Sequence, residues 1–235
     1  MMTMTMEPLY ETTKTCLCCE RSYPSSRVRP SFKKSIHRDT DFCATYKTDI
    51  NPDYYVVFVC PDCGFATSEN GAASMTDAQR KTYYEQIGSR WTRRDYGGSR
   101  TREEALACYK LALLCAGIIG EKERVVAGIL HHIAWIYRSE GNEEQEQRFL
   151  RYALQSYIAV FETEGVSLNN AKLMYLIGEL HRRVGEQRLA VRWFSRVVND
   201  KKITDAAMIR ASREQWQLIR EVQTGLDEET AAGIA

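Results

Sequence analysis

Two pairs of cysteines constrain this chain more than anything else in it. Cys60-Pro61-Asp62-Cys63-Gly64 sets two thiols three residues apart, a spacing that turns both sulfurs toward one ion, and a glycine after the second thiol lets the backbone take the left-handed conformation that closes such a knuckle. Cys16-Leu17-Cys18-Cys19 repeats the spacing through Cys16 and Cys19, with 40 residues between the two pairs. A doubled C-x2-C predicts one structural zinc ion per chain, held by Cys16, Cys19, Cys60 and Cys63 in a closed tetrahedron.

Other uses of these thiols fit less well. Of the eight cysteines, six lie before position 64, and no export signal accompanies them, so reduced metal-binding thiols suit the pattern better than a secreted disulfide framework. A redox pair at Cys60 and Cys63 would belong at a helix amino terminus, whereas Gly64 and the polar stretch Thr67 to Gly71 follow here. Thirty-two basic against 31 acidic residues argue against a surface built wholly for nucleic acid or anionic lipid. The chain has no run of about 18 apolar residues, so no membrane is expected and a cytoplasmic location is.

The fold class expected is mainly α, with a small zinc-ribbon-like β module first (residues 1–70), a basic connector (71–100), a tetratricopeptide-like helical repeat region (101–224) and a frayed tail (225–235). In the first module Tyr23-Pro24-Ser25-Ser26 reads as a turn, and Tyr55 to Val59, aromatic and β-branched, as a strand that delivers the second knuckle. Asp39, Asp41, Tyr46, Asn51, Tyr54 and Tyr55 invite a catalytic reading, but Asx turns and half-buried tyrosines explain them at less cost.

Taken together, the first C-x2-C, Asp39-x-Asp41-Phe42-Cys43-x2-Tyr46, Asn51-Pro52-x-Tyr54-Tyr55-Val56 and Cys60-Pro61-x-Cys63-Gly64-x-Ala66 resemble the bacterial family catalogued as domain of unknown function 2225. That resemblance implies a metal-binding module joined to helical repeats, and no established activity. Against the family's usual knuckle this chain has Leu17 in place of proline and Glu20 in place of glycine, which leaves Cys18 and Cys43 as alternative ligands.

Thr76-x2-Gln79 and Thr101-x2-Glu104 are capping boxes, the first opening a short helix to about Ile87. Between Arg80 and Arg102 seven basic residues face two acidic ones, with Trp91 and Tyr96 among them, the composition of a nucleic-acid contact or of a solvated face. Beyond Gly98, glycine punctuation predicts helices at 101–119, 122–140, 143–163, 168–184, 186–199 and 205–222. Gly178, Gly185, Ala190, Phe194 and Val197 suit a tetratricopeptide-like pair, in which small residues admit a neighbouring helix. Cys108 and Cys115 read as small buried hydrophobes, and His131 and His132 as core or groove histidines, since no H-E-x-x-H is formed.

The functional expectation is a non-catalytic zinc-binding scaffold that takes another protein or peptide in its helical groove, with His131, Arg138, Lys172, Tyr175 and Glu179 lining it. The alternative is nucleic-acid binding through the ribbon and the connector. A thiol-redox or metal-dependent enzyme fits least, because no nucleophile, base and orienting group can be drawn from the sequence.

Overall fold

Each cysteine pair sits at the tip of an antiparallel hairpin. In the computed structural model, which describes residues 6–164 and 170–232, β1 (Leu9–Thr15) pairs with β2 (Ser22–Val28) from Leu9 opposite Val28 to Thr15 opposite Ser22, and Cys16 to Cys19 turn the corner. The second knuckle likewise joins β5 (Val57–Val59) to β6 (Ala66–Ser68). Between them lies a third hairpin, β3 (Ser35–Arg38) with β4 (Ala44–Tyr46).

Two local expectations are corrected here. Tyr23 to Ser26 is strand, not turn: Tyr23 and Ser25 point inward while Ser22 and Pro24 are exposed, and a two-stranded ribbon leaves an outer edge where the missing proline N–H costs nothing. The strand before the second knuckle is shorter than Tyr55 to Val59. Asn51 accepts a hydrogen bond from the Asp53 amide and Pro52 presets the next turn, so Pro52–Tyr55 winds into a 3-10 helix and the strand starts only at Val57.

Seven helices follow among the described residues: α1 (Asp77–Gln86), α2 (Arg102–Ile119), α3 (Glu123–Glu140), α4 (Glu143–Glu164), α5 (Ala171–Arg183), α6 (Gln187–Asn199) and α7 (Ala206–Ala232). Both capping boxes form, Thr76 with Gln79 and Thr101 with Glu104. Gly120 and Gly141 end α2 and α3 in the left-handed conformation. Gly165, expected at or just beyond the end of the 143–163 helix, and the expected helix start at 168 lie outside the described residues. The tail is helical further than expected, since α7 runs on to Ala232 through Leu-Asp-Glu-Glu-Thr-Ala-Ala, which contains no proline to stop it. Residues 233–235 are outside the description. No helix among the described residues is long and apolar enough to cross a membrane.

The chain divides into two compact units, Met1–Phe149 and Leu150–Ala235. In the first, α2 lies against β5, β6, α1, α3 and the Pro52–Tyr55 turn, and buries Ala105, Cys108, Tyr109, Ala112, Cys115 and Ala116. The Cys115 sulfur accepts a hydrogen bond from the Ala66 amide at 3.3 Å, which ties the helix to the second hairpin. In the second unit α5, α6 and α7 pack around Ala171, Met174, Val197 and Ile203, with Trp193 and Phe161 in an edge-to-face pair at 4.9 Å. A side chain on Gly178 would stand 2.8 Å from the Phe194 ring, so the glycine is what admits α6 so closely. Phe194 is fully buried. Phe194→Ala should therefore cost about 3–5 kcal/mol in a denaturant titration, against a few tenths for the exposed Leu189→Ala.

Candidate metal centre

The hairpin tips bring four sulfurs from two distant stretches of chain together. Those of Cys16, Cys19, Cys60 and Cys63 all lie within 4.8 Å of one another, and among the described residues this is the one convergent cluster of groups able to hold a metal ion. Cys16 approaches Cys63 at 3.5 Å and Cys19 approaches Cys60 at 3.6 Å. Zinc–thiolate bonds of about 2.3 Å place the corners of a tetrahedron about 3.8 Å apart, so the cluster has the size of a four-thiolate site. Cys16, Cys60 and Cys63 are buried and Cys19 is half-buried.

The two knuckles share one backbone plan. The Cys16 amide donates to the Arg21 carbonyl and the Glu20 amide to the Cys16 carbonyl; in the second knuckle Cys60 donates to Phe65 and Gly64 to Cys60. The residue after the second cysteine is left-handed in both, with φ 75° at Gly64 and 61° at Glu20. Glu20 thus adopts the conformation that glycine would take without strain, and its side chain accepts a hydrogen bond from Arg80. With Leu17 and Glu20 in it, the first knuckle keeps the backbone plan of the second.

Shared protons dominate the ionisation of the cluster. The hydrogen bond shared with Cys63 draws the Cys16 thiol down, against the opposing effect of burial. The same hydrogen bond, reinforced by burial, pushes Cys63 up, and burial raises Cys60 to about 12. Four thiolates cannot accumulate at this spacing without a cation between them, and a bound divalent ion would displace the protons. Cys18 is buried beside the cluster but outside it, and burial pushes its thiol up to about 11. Cys43 is elsewhere, its thiol raised to about 12 by burial and by Asp41.

The connector closes over the second knuckle. The Tyr83 hydroxyl donates to the Cys63 carbonyl at 2.7 Å, and the Trp91 indole donates to the Pro61 carbonyl at 2.9 Å with its ring on Gly64. A side chain at Gly64 would stand 2.4 Å from that ring. Within the basic stretch Arg100 is buried, donating to the carbonyls of Tyr96, Tyr54 and Val57, while Arg93 pairs with Asp62 and Arg94 lies over the Tyr96 ring with both side chains exposed. Tyr96 is buried too, so it offers no stacking platform to a base. Nothing in the sequence marked Tyr83 and Trp91 as supports of the knuckle, because each acts across 20 or more residues.

The acidic motif before Cys43 has a structural task. Asp41 is fully buried and accepts from Trp135 Nε1 at 3.0 Å and from both terminal nitrogens of Arg138, with His131 Nε2 at 3.4 Å. His131, Trp135 and Arg138 share one face of α3 at helical spacing. Arg138 also meets Asp39 and Glu146. Of the residues expected to line a groove, His131, Tyr175 and Glu179 are buried, and Glu179 is clasped by Arg182 and Arg183, whereas Lys172 is exposed.

A β module whose two cysteine-tipped hairpins form a four-sulfur cluster able to hold a metal ion, followed by helices, is the class of protein that this fold and cluster define. The chain belongs to the family described as "Uncharacterized protein conserved in bacteria (DUF2225)", whose family model matches residues 9–219. No curated protein and no solved structure matches it.

Two tests follow from this geometry. Gly64→Ala combines a left-handed backbone with a clash on Trp91 and should destabilise the first unit by about 3 kcal/mol or more, whereas Glu20→Gly should stabilise it by up to about 1 kcal/mol; denaturant midpoints at fixed zinc compare them. The second concerns pH. Burial holds His131 below its ordinary value despite the raising effect of Asp41, with His132 and Arg138 also opposing its charge. The unfolded chain therefore binds this proton more readily than the folded one, and stability falls as pH drops from about 6.5 through the lowered value. His131→Gln should lose that part of the acid sensitivity, read as a flatter plot of unfolding free energy against pH at saturating zinc.

Proposed function

We propose that this chain is a zinc-stabilised, non-catalytic interaction protein of the bacterial cytoplasm, with one structural zinc held by Cys16, Cys19, Cys60 and Cys63. The observation that carries the reading is the closed four-sulfur cluster, whose size suits tetrahedral zinc. A hydrolytic metal centre keeps a coordination position for water or substrate, and four thiolates would fill all of them. A redox pair needs an accessible attacking thiol, and Cys60 and Cys63 are both buried.

A structural zinc contributes an apparent ~10–16 kcal/mol of folding free energy, enough to hold the first and third of the short hairpins together. The helices then offer surface to another protein. The close α5–α6 pair, with Gly178 under Phe194, supports a tetratricopeptide-like scaffold of the kind that binds protein segments. Nucleic acid is the weaker partner, since Arg100 and Tyr96 of the connector are buried and basic and acidic residues nearly balance over the chain.

Metal analysis of protein purified without added zinc should return about one zinc per chain. Cys63→Ser should lose the ion and unfold the first unit, while Cys108→Ser should keep the ion. Equal behaviour of the two variants would overturn the assignment. For the partner, affinity capture with and without nuclease is the test: a defined protein retained after nuclease supports the scaffold, and a complex that nuclease dissolves replaces it with nucleic-acid binding.

A further inference from the structure

A cavity of about 370 Å³ opens within the first unit, bounded by the β3–β4 hairpin, by the stretch from Thr48 to Asp53, and by α2 and α3. None of the four clustered cysteines lines it. Its volume lies at the small end of the ~300–1,000 Å³ usual for small-molecule sites, so any occupant is compact.

Charge and shape narrow the occupant further. Three carboxylates, Asp39, Asp49 and Asp53, line the cavity against one guanidinium, that of Arg138. Arg138 is already answered by Asp39, Asp41 and Glu146, so an anion would find that cation spent. Arg38 acts on Tyr46 from the exposed side of β3 but does not line the space. Asp49 and Asp53, by contrast, have no ion-pair partner among the described residues.

Asp53 is also fixed in place. Its carboxylate accepts from the Tyr46 hydroxyl at 3.0 Å, its carbonyl accepts from the Tyr109 hydroxyl at 2.6 Å, and its amide donates to Asn51 at 2.9 Å. Aromatic rings line the cavity with it: Tyr46, Tyr109, Trp135 and His132, the last stacked on Tyr109 at 5.3 Å and 4.6 Å from Trp135. The His132 Nδ1 proton is given to the Gly128 carbonyl, which holds the ring in this orientation.

A metal ion does not suit the site. Hard divalent cations need oxygens converging at about 2.0–2.6 Å, and among the described residues only the cysteine cluster converges on one point. Separated carboxylates among aromatic rings suit a cation whose charge is spread over an organic group, as aromatic cages suit quaternary ammonium. We propose that this cavity binds a small organic ammonium ion, with Asp53 as its counter-ion and Tyr46, Tyr109 and Trp135 against its methyl or methylene groups. The site is independent of the scaffold reading and of the partner that the helices take.

Calorimetric titration of the zinc-loaded full-length chain tests this, with choline and cadaverine as cations, the uncharged carbon isostere of choline, and acetate and inorganic phosphate as anions. One of the two cations should saturate a single site, the isostere should bind at least about tenfold more weakly than choline, and the anions should not bind. Asp53→Asn keeps an oxygen for the Tyr46 hydroxyl and should weaken cation binding by about tenfold or more, with zinc content and melting unchanged. Glu69→Gln, outside the lining, should change nothing. Should Asp53→Asn melt early, Asp49→Asn at the exposed rim is the second readout, expected to weaken binding severalfold. Preference for an anion, equal binding of the isostere, unaltered affinity in the folded Asp variants, or no saturation by either cation at about 10 mM would each overturn the proposal.

Discussion

The convergence of four sulfurs is the constraint on which the first unit depends. Three two-stranded hairpins share no continuous sheet, and each alone would be marginal in water. Joining the tips of the first and third through one cluster fixes residues 16–19 against residues 60–63, a closure that such short strands could not sustain by themselves. The left-handed Glu20 shows how strongly this geometry is imposed, since a residue with a side chain adopts there what Gly64 adopts freely.

Around that cluster the remaining polar groups are used as ties. Arg100 holds the connector to the carbonyls of Tyr54 and Val57, Tyr83 and Trp91 cap the second knuckle, and Asp41 anchors the β3–β4 hairpin to one face of α3. Each tie satisfies a buried polar group that would otherwise cost stability, and each crosses a long stretch of sequence. Within the basic connector Arg100 is such an internal tie, while Arg90, Arg93 and Arg94 stay exposed.

One consequence of the Asp41 anchor is the cavity beside it. Docking the hairpin on α3 through buried charge, rather than through a continuous apolar face, leaves space between them lined by Asp49, Asp53 and aromatic rings. The two features are coupled chemically, because Arg138 is consumed by the anchor and the neighbouring carboxylates are left without a cation.

Local signals carried far in this chain where the physics is local. The doubled C-x2-C spacing, the capping boxes at Thr76 and Thr101, and the glycines after α2 and α3 were legible because each acts within a few residues, so the helix limits expected on described residues lie within about three residues of those found, apart from the far end of α7. The sequence by itself determined the helical class, the candidate ligands and the family. Only the tertiary structure decided that Tyr23 to Ser26 is strand, that Asn51 and Pro52 cut the later strand short, that His131, Tyr175 and Glu179 are interior, and that a cavity faces Asp53. In these cases the outcome rests on which distant groups meet, as Asp41 meets Arg138 across 97 positions, and no local spacing encodes that meeting.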